Sequence, residues 1–344
     1  MEPFVIDPAN LGDPAALVGA VIAEEVRAGG RKAFSKGHRV EQDDLATVAL
    51  LDRPVHAVRL GPEEVHENEA ALRLARATAP GLEIRGPVQS RCNLLATGKG
   101  LLRIDRERLT ALNRLPGVAV FTLLDRLCVL PGRIVAGAKI TPVAMPEATL
   151  REAEAMARGR PVIRVDPFVP HRVGVILTEA LEGRVRQRFE ATLDLKLGWY
   201  GATQLRLVQV PREAAAVAAE MARMIDDGAT LVLAVGGNTI DPLDPTLLAL
   251  DLIDARLVRF GAPAHPGSMF WLAYRGEVPI FNLASCSMYS KSTIADLVLS
   301  WIMAGERVTN DALAELGFGG LLDRGMGFRF PPYDTETADD ESEE

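Results

Sequence analysis

The 344 residues are long enough for two ordinary domains, and 48% hydrophobic residues with only 5% aromatics describe a globular chain with an aliphatic core. No apolar run approaches bilayer length, and the start, Met1-Glu2-Pro3-Phe4-Val5-Ile6-Asp7, has no basic region followed by an apolar segment, so a cytoplasmic protein with no membrane partner is expected. Cys92, Cys128 and Cys286 are odd in number and far apart, which argues against a disulfide framework and a Cys-x-x-Cys metal site. The net charge of −8 sits almost wholly in Asp334 to Glu344, which holds seven acids and no base. A stretch with nothing to bury reads as a disordered solubilising tail, placed at 332–344. The rest is nearly neutral and carries no basic stripe with interleaved aromatics, so nucleic acid is not an expected partner.

In chain order, Asp13 to Ala28 reads as a helix, because Leu17, Val18, Val21, Ile22 and Val26 fall on one stripe that Gly29-Gly30 stops. Strands are predicted at Val55 to Leu60, Gly100 to Asp105, Val118 to Leu123 and Gly132 to Pro142, and helices at Val65 to Ala79, Arg106 to Asn113 and Thr149 to Arg158. Pro161 to Pro170 is proline-interrupted and reads as an extended linker. This half, 1–165, is expected to be a smaller α+β domain.

From Arg172 onward strands and helices alternate as a parallel sheet requires. Strands Val173 to Leu177, Thr203 to Val210 and Thr230 to Val235 are followed by helices Gly183 to Leu197, Glu213 to Ile225 and Asp244 to Leu252. Apolar segments at Leu257 to Arg259, Met269 to Ala273 and Val278 to Asn282 precede a last helix, Ser292 to Met303. The expected architecture for 170–328 is a three-layer αβα domain around a mostly parallel sheet, with ligand-binding loops at the carboxyl edge.

The most informative stretch is Leu231-Val232-Leu233-Ala234-Val235-Gly236-Gly237-Asn238-Thr239-Ile240-Asp241-Pro242-Leu243-Asp244-Pro245-Thr246, an apolar strand that enters a paired-glycine turn and then a helix start. Backbone without Cβ at Gly236 and Gly237 can lay N–H groups against an anion, and the helix adds its positive end. Asp244 also suits the N-cap of that helix with Pro245 at its first position, and Asp241 before Pro242 suits a turn cap. Ser285, Cys286, Ser287, Ser290 and Lys291 offer hydroxyls and a cation before the last helix. No histidine stands near Cys286 to activate it, so it reads as a small core residue rather than a nucleophile. The Trp199-Tyr200 pair reads as packing on the sheet.

These segments resemble the molybdopterin-binding domain of molybdopterin adenylyltransferases and molybdopterin molybdotransferases. The likeness rests on Val173-Gly174-Val175-Ile176-Leu177-Thr178-Glu179, on the glycine loop through Thr246, and on Phe260-Gly261-Ala262-Pro263-Ala264-His265-Pro266-Gly267 with Leu283-Ala284-Ser285-Cys286. In the N-terminal half, less specifically, Lys36-Gly37-His38-Arg39-Val40-Glu41-Gln42-Asp43-Asp44-Leu45 resembles the segment before the binding domain in molybdotransferase-like proteins, and Arg91-Cys92-Asn93-Leu94-Leu95 with Pro131-Gly132-Arg133-Ile134-Val135-Ala136 and Lys139-Ile140-Thr141-Pro142 resembles the region preceding that domain in bacterial molybdopterin-binding proteins sometimes fused to a nucleotidyltransferase. The resemblance implies that Thr178, Gly236, Gly237, Asn238, Thr239, Pro266, Gly267, Ser285, Cys286, Ser287 and Lys291 bind molybdopterin. It further implies that Asp241 and Asp244 carry the chemistry, with Mg2+, in a homo-oligomer that takes a pterin and ATP as small molecules. Thr239, Asp241 and Ala284-Ser285 depart from the family pattern, so binding transfers better than catalysis. A carrier or sensor docking onto a molybdoenzyme or a nucleotidyltransferase, and a nucleotide-pyrophosphate hydrolase, are the alternative readings.

Overall fold

The computed structural model describes residues 1–236 and 241–335, with the side chains of Ser285, Cys286 and Arg324 outside that description. The chain divides into two compact units, one formed by Met1–Gly98, Leu102–Asp125 and Pro131–Val165, the other by Lys99–Leu101, Arg126–Leu130 and Asp166–Glu344.

The first unit is α+β. Its opening corrects the expected helix at Asp13 to Ala28: a single 3-10 turn, Pro14–Leu17, is followed by short strands Val21–Ile22 and Val26–Ala28. Gly19 takes a left-handed φ of 88°, and the β-branched Val21 and Ile22 pair with Val58 and Ala57. The apolar spacing that imitates a helical stripe is made by strand residues buried one pair at a time. Gly29 and Gly30 then form the hairpin turn to Arg31–Phe34 rather than a helix stop, both with positive φ. Strand Ile163–Pro167 also runs through the segment that reads as linker.

A helix, Glu67–Thr78, carries Arg73, whose guanidinium donates to both oxygens of Glu147 and both of Glu154 at 2.7–3.0 Å. The Arg73 and Arg151 guanidiniums hold the Glu147 carboxyl down from the ordinary 4.5 to about 2. A carboxyl depressed in the folded state contributes stability that is complete above its unfolded value and is lost as pH falls from about 4.5 towards about 2. The melting temperature is therefore expected to fall across that window, and Arg73→Met is expected to flatten this acid limb while lowering stability at neutral pH. Circular dichroism melts at a series of pH values check both.

The second unit is built on one six-stranded sheet. Its elements in chain order are β1 (Arg172–Leu177), α1 (Gly183–Trp199), β2 (Thr203–Gln209), α2 (Ala214–Asp226), β3 (Leu231–Val235), α3 (Pro245–Leu252), β4 (Arg256–Phe260), β5 (Trp271–Arg275), β6 (Val278–Leu283), α4 (Ser285–Tyr289), α5 (Ile294–Met303) and α6 (Asn310–Glu315). The strand order is β2-β1-β3-β6-β5-β4, with β2, β1, β3 and β6 parallel and β5 antiparallel to both of its neighbours, β6 and β4. A register irregularity interrupts the β4–β5 pairing between Leu257 and Arg259.

Successive residues of the central strands bury against opposite faces, as the period of two requires. Val173, Val175 and Leu177 join a core with Phe189, Leu193 and Leu197 of α1 and Val298 and Ile302 of α5, whereas Ile176, Val232 and Ala234 join Val217 and Met221 of α2 and Ala249 and Leu250 of α3. At Gly174 the approach of α2 is so close that a Cβ would stand 2.6 Å from the Met224 sulfur. Trp199 and Tyr200 are buried, in edge-to-face contact with each other and with Tyr333.

The C-terminal segment departs from the reading of 332–344 as a disordered tail. Tyr333 is buried, its hydroxyl donates to Asp296 Oδ1 at 3.0 Å, and the Trp199 Nε1 donates to the Thr335 carbonyl at 3.1 Å. Asp334 accepts from Lys291 Nζ through both oxygens at 2.9 Å. An aromatic residue directly after a Pro-Pro pair anchors what composition alone reads as solvated. Residues 336–344 lie outside the described residues.

Candidate functional site

Parallel pairing places four strand ends in register. Leu177 lies opposite Gln209 on one side and Val235 on the other, and Val235 lies opposite Leu283. With neighbouring strands about 4.8 Å apart, the loops that begin at Val210, Thr178, Gly236 and Ala284 start within a row about 15 Å long. β1 sends its helix α1 to one face while β3, its neighbour, leads to α3 on the other. Strands whose connections diverge to opposite faces leave a crevice at their carboxyl ends, the usual ligand position in an open α/β sheet.

The floor of that crevice is the contact between the loops after β1 and β3. Thr178 is buried, and its N–H and hydroxyl both donate to the Val235 carbonyl, at 3.0 and 3.3 Å. Gly236 has a φ of 90°, and a Cβ there would stand 3.0–3.1 Å from Glu179 Cγ, Glu179 N and Thr178 Oγ1. Backbone conformation and lack of space both select glycine at this position. Gly237, Asn238, Thr239 and Ile240 lie outside the described residues.

Asp244 is 1% exposed. Its Oδ1 accepts from the Thr246 N–H at 2.9 Å and the Thr246 hydroxyl at 2.5 Å, which is an N-cap of α3, and its Oδ2 lies 3.5 Å from Arg212 Nη2. Asp241 Oδ1 accepts from the Leu243 N–H at 2.9 Å, a turn cap. The Asp244 carboxylate is thus gripped on one side by a threonine and faced on the other by a guanidinium that already supplies the positive charge. This arrangement does not fit a Mg2+ site shared by Asp241 and Asp244.

The loop after β6 is organised from below by residues the sequence reading missed. Lys196 of α1 is buried; its ammonium lies 2.7 Å from Asp296 Oδ1 and donates to the carbonyls of Ser287 at 3.2 Å and Ser290 at 2.7 Å. Asp296 Oδ2 accepts from the Thr293 N–H and hydroxyl, both at 2.9 Å, closing a capping box at the start of α5. Ser287 is buried, and Lys291 is committed to Asp334. Ser285 and Cys286 are the first residues of α4, their side chains outside the description. Of the other cysteines, desolvation pushes the Cys128 thiol up to about 12, far from thiolate chemistry at neutral pH.

Pro266 and Gly267 belong to a separate support. The His265 N–H donates to the Gly320 carbonyl and its own carbonyl accepts from Leu322, both at 2.8 Å, while a Cβ on Gly267, whose φ is 108°, would stand 2.6 Å from Ile294 Cγ2. They set the entry of α5. The structure therefore gathers Thr178, Gly236, Asp241 and Asp244 with Arg212 at the crevice, and Ser287 and Lys291 on the neighbouring loop over Lys196.

No family model matches the chain, and no curated protein matches its sequence. Among solved structures, a tungsten cofactor synthesizing protein MoaB from Pyrococcus furiosus is similar at 17% identity over 34% of this chain and 84% of that one, with a TM-score of 0.28. A molybdenum cofactor biosynthesis protein B is 16% identical over 44% of this chain and 96% of its own, with a TM-score of 0.30. A molybdopterin biosynthesis MoeA protein from Pyrococcus horikosii is 13% identical over 72% of this chain and 80% of its own, with a TM-score of 0.29. Scores of this size do not establish a shared fold. Among the described residues, no helix is long and apolar enough to cross a membrane.

Proposed function

We propose that the chain binds molybdopterin, or its adenylylated form, and acts in molybdenum cofactor synthesis or delivery in the cytoplasm. The observation that supports this reading most directly is the tight glycine turn at Gly236 against Thr178 and Glu179, set at the point where the connections of β1 and β3 diverge. The resemblance segments that follow β1, β3 and β6 open onto this same row of loops, while Phe260 to Gly267 lies apart from it. Under this reading 170–328 is the molybdopterin-binding domain, 1–165 is a molybdotransferase-like domain, and the protein works as a homo-oligomer. Under the same reading the ligand is bound by Thr178 and Gly236, with Gly237, Asn238 and Thr239, and by Ser285, Cys286, Ser287 and Lys291.

If a group is transferred, with ATP or molybdate as co-substrate, these residues act by orienting the pterin and offsetting its charge, since no covalent nucleophile is assigned. The engagement of both Asp244 oxygens favours the second reading, a carrier that holds the cofactor and passes it to a molybdoenzyme or nucleotidyltransferase. Mass spectrometry and pterin fluorescence of the purified full-length chain test the proposal. A bound dithiolene pterin, or micromolar uptake of added molybdopterin, is the expected result. No pterin on the purified chain and no saturable uptake would overturn it. Turnover with ATP or molybdate then separates transferase from carrier.

A further inference from the structure

We infer that Arg212 is the cation that reads the anionic group of the ligand, and that Asp244 is the positioning residue that aims it. This deepens the reading of the strand-end row as a ligand site and names the ligand chemistry: a tetrahedral oxyanion, as a phosphate ester or a free ion. Arg212 stands in the loop after β2, the outermost of the parallel strands that share the row. That loop is fixed at its root, because the Val210 N–H donates to the Leu177 carbonyl at 2.9 Å and Pro211, next in line, has its φ set by its ring.

The guanidinium is held at one edge only. Among the described residues its partner is Asp244 Oδ2 at 3.5 Å, while its side chain remains 44% exposed. Asp244 cannot follow Arg212 outward, since its other oxygen is locked by the Thr246 N–H and hydroxyl and the residue is 1% exposed. A buried, fixed carboxylate therefore orients a half-exposed planar cation that keeps further N–H donors for a second acceptor. Guanidinium donors match the paired oxygens of a tetrahedral oxyanion, and a pre-oriented fork loses less entropy on binding than a free one. Lys291, the cation singled out from the sequence, has its ammonium engaged by both oxygens of Asp334. Of the two, Arg212 keeps the more donors for a ligand, since its one bond to Asp244 leaves most of its five N–H groups.

The test uses the full-length protein and titrates inorganic phosphate, molybdate and phenyl phosphate calorimetrically at low and high salt. Wild type is expected to bind at least one of the three, with affinity falling as salt rises. Arg212→Gln is expected to weaken that binding by about tenfold or more, the size of a lost charge-assisted contact. Arg212→Lys should recover only part, because an ammonium cannot present the fork. Asp244→Asn keeps the cap on α3, so its melting temperature should stay near wild type while oxyanion affinity falls; a purely structural Asp244 would lose both or neither. Tighter binding of phenyl phosphate than of the inorganic ions marks an ester as the source, and the reverse marks a free oxyanion.

The inference is overturned if wild type binds none of the three probes, or if Arg212→Gln binds them as wild type does. The two readings fail separately. Phosphate binding through Arg212 in a chain that takes no pterin keeps this inference and removes the pterin, whereas undiminished pterin uptake by Arg212→Gln removes this inference and keeps the pterin.

Discussion

Lys196→Met is expected to destabilise the second unit by about 3–5 kcal/mol, the cost of leaving one member of a buried ion pair without its partner. Lys196 and Asp296 have side chains only 5% and 1% exposed and meet at 2.7 Å. Methionine matches the length of the stem and fills its space, so the loss is of charge and hydrogen bonds rather than volume. Asp296 would keep Thr293 and the Tyr333 hydroxyl, but the carbonyls of Ser287 and Ser290 would lose their donor. The double variant Lys196→Met/Asp296→Asn should recover much of that stability, since asparagine still accepts from Thr293 and carries no charge to strand. Urea unfolding of the wild type, both single variants and the double gives the coupling energy. Additive effects would show that the pair does not act as a unit.

The second large effect lies at the other partner of Asp296. Tyr333→Ala is expected to cost about 3–5 kcal/mol, as large aromatic truncations in a packed interior do. The ring is 4% exposed and packs edge-to-face on Trp199 and Tyr200, and its hydroxyl serves Asp296. Two truncations divide the C-terminus accordingly. Ending the chain after Thr335 should leave the melting temperature within error of the full chain, while ending it after Pro332 should lower it as far as Tyr333→Ala or further. Equal melting temperatures for the two truncated proteins would mean that Tyr333 contributes nothing to the fold.

The second unit is legible because its residues obey one period at a time. β1, β3 and β6 are short apolar runs bounded by turn residues, and helices with capping or turn residues at their starts separate them, so the alternation can be written from sequence. The first unit misleads where β-branched residues recur at three- and four-residue intervals, as from Leu17 to Val26, because helix and short paired strands then leave the same trace. Only Gly19, with its left-handed φ, marks the break.

The candidate site divides along a similar line. The turn at Gly236 and the cap at Asp244 depend on neighbours in sequence and can be read from it. Arg212 meets Asp244 across 32 residues, a contact made by strand order rather than by spacing, and nothing local announces it. Lys196 is an intermediate case. A lysine one helical turn from Leu193, two from Phe189 and beside Leu197 is a cation on an apolar stripe, and the Thr-x-x-Asp pattern of Thr293 and Asp296 is a capping signal; neither alone says that they meet.

The interrupted pairing of β4 bears on how molecules of this chain meet one another. An outer strand offers unpaired amides and carbonyls on which a strand of another molecule could continue the sheet without limit. β4 is five residues long, irregular between Leu257 and Arg259, and bears two guanidiniums, one of which reaches the Gly261 carbonyl and Asn310 Oδ1 at 2.7 and 2.9 Å. At the opposite border Arg206 of β2 pairs with Glu220 at 2.8 Å. Charge at both borders and an irregular register at β4 make an incoming strand desolvate guanidiniums, which disfavours continuation of the sheet from one molecule to the next.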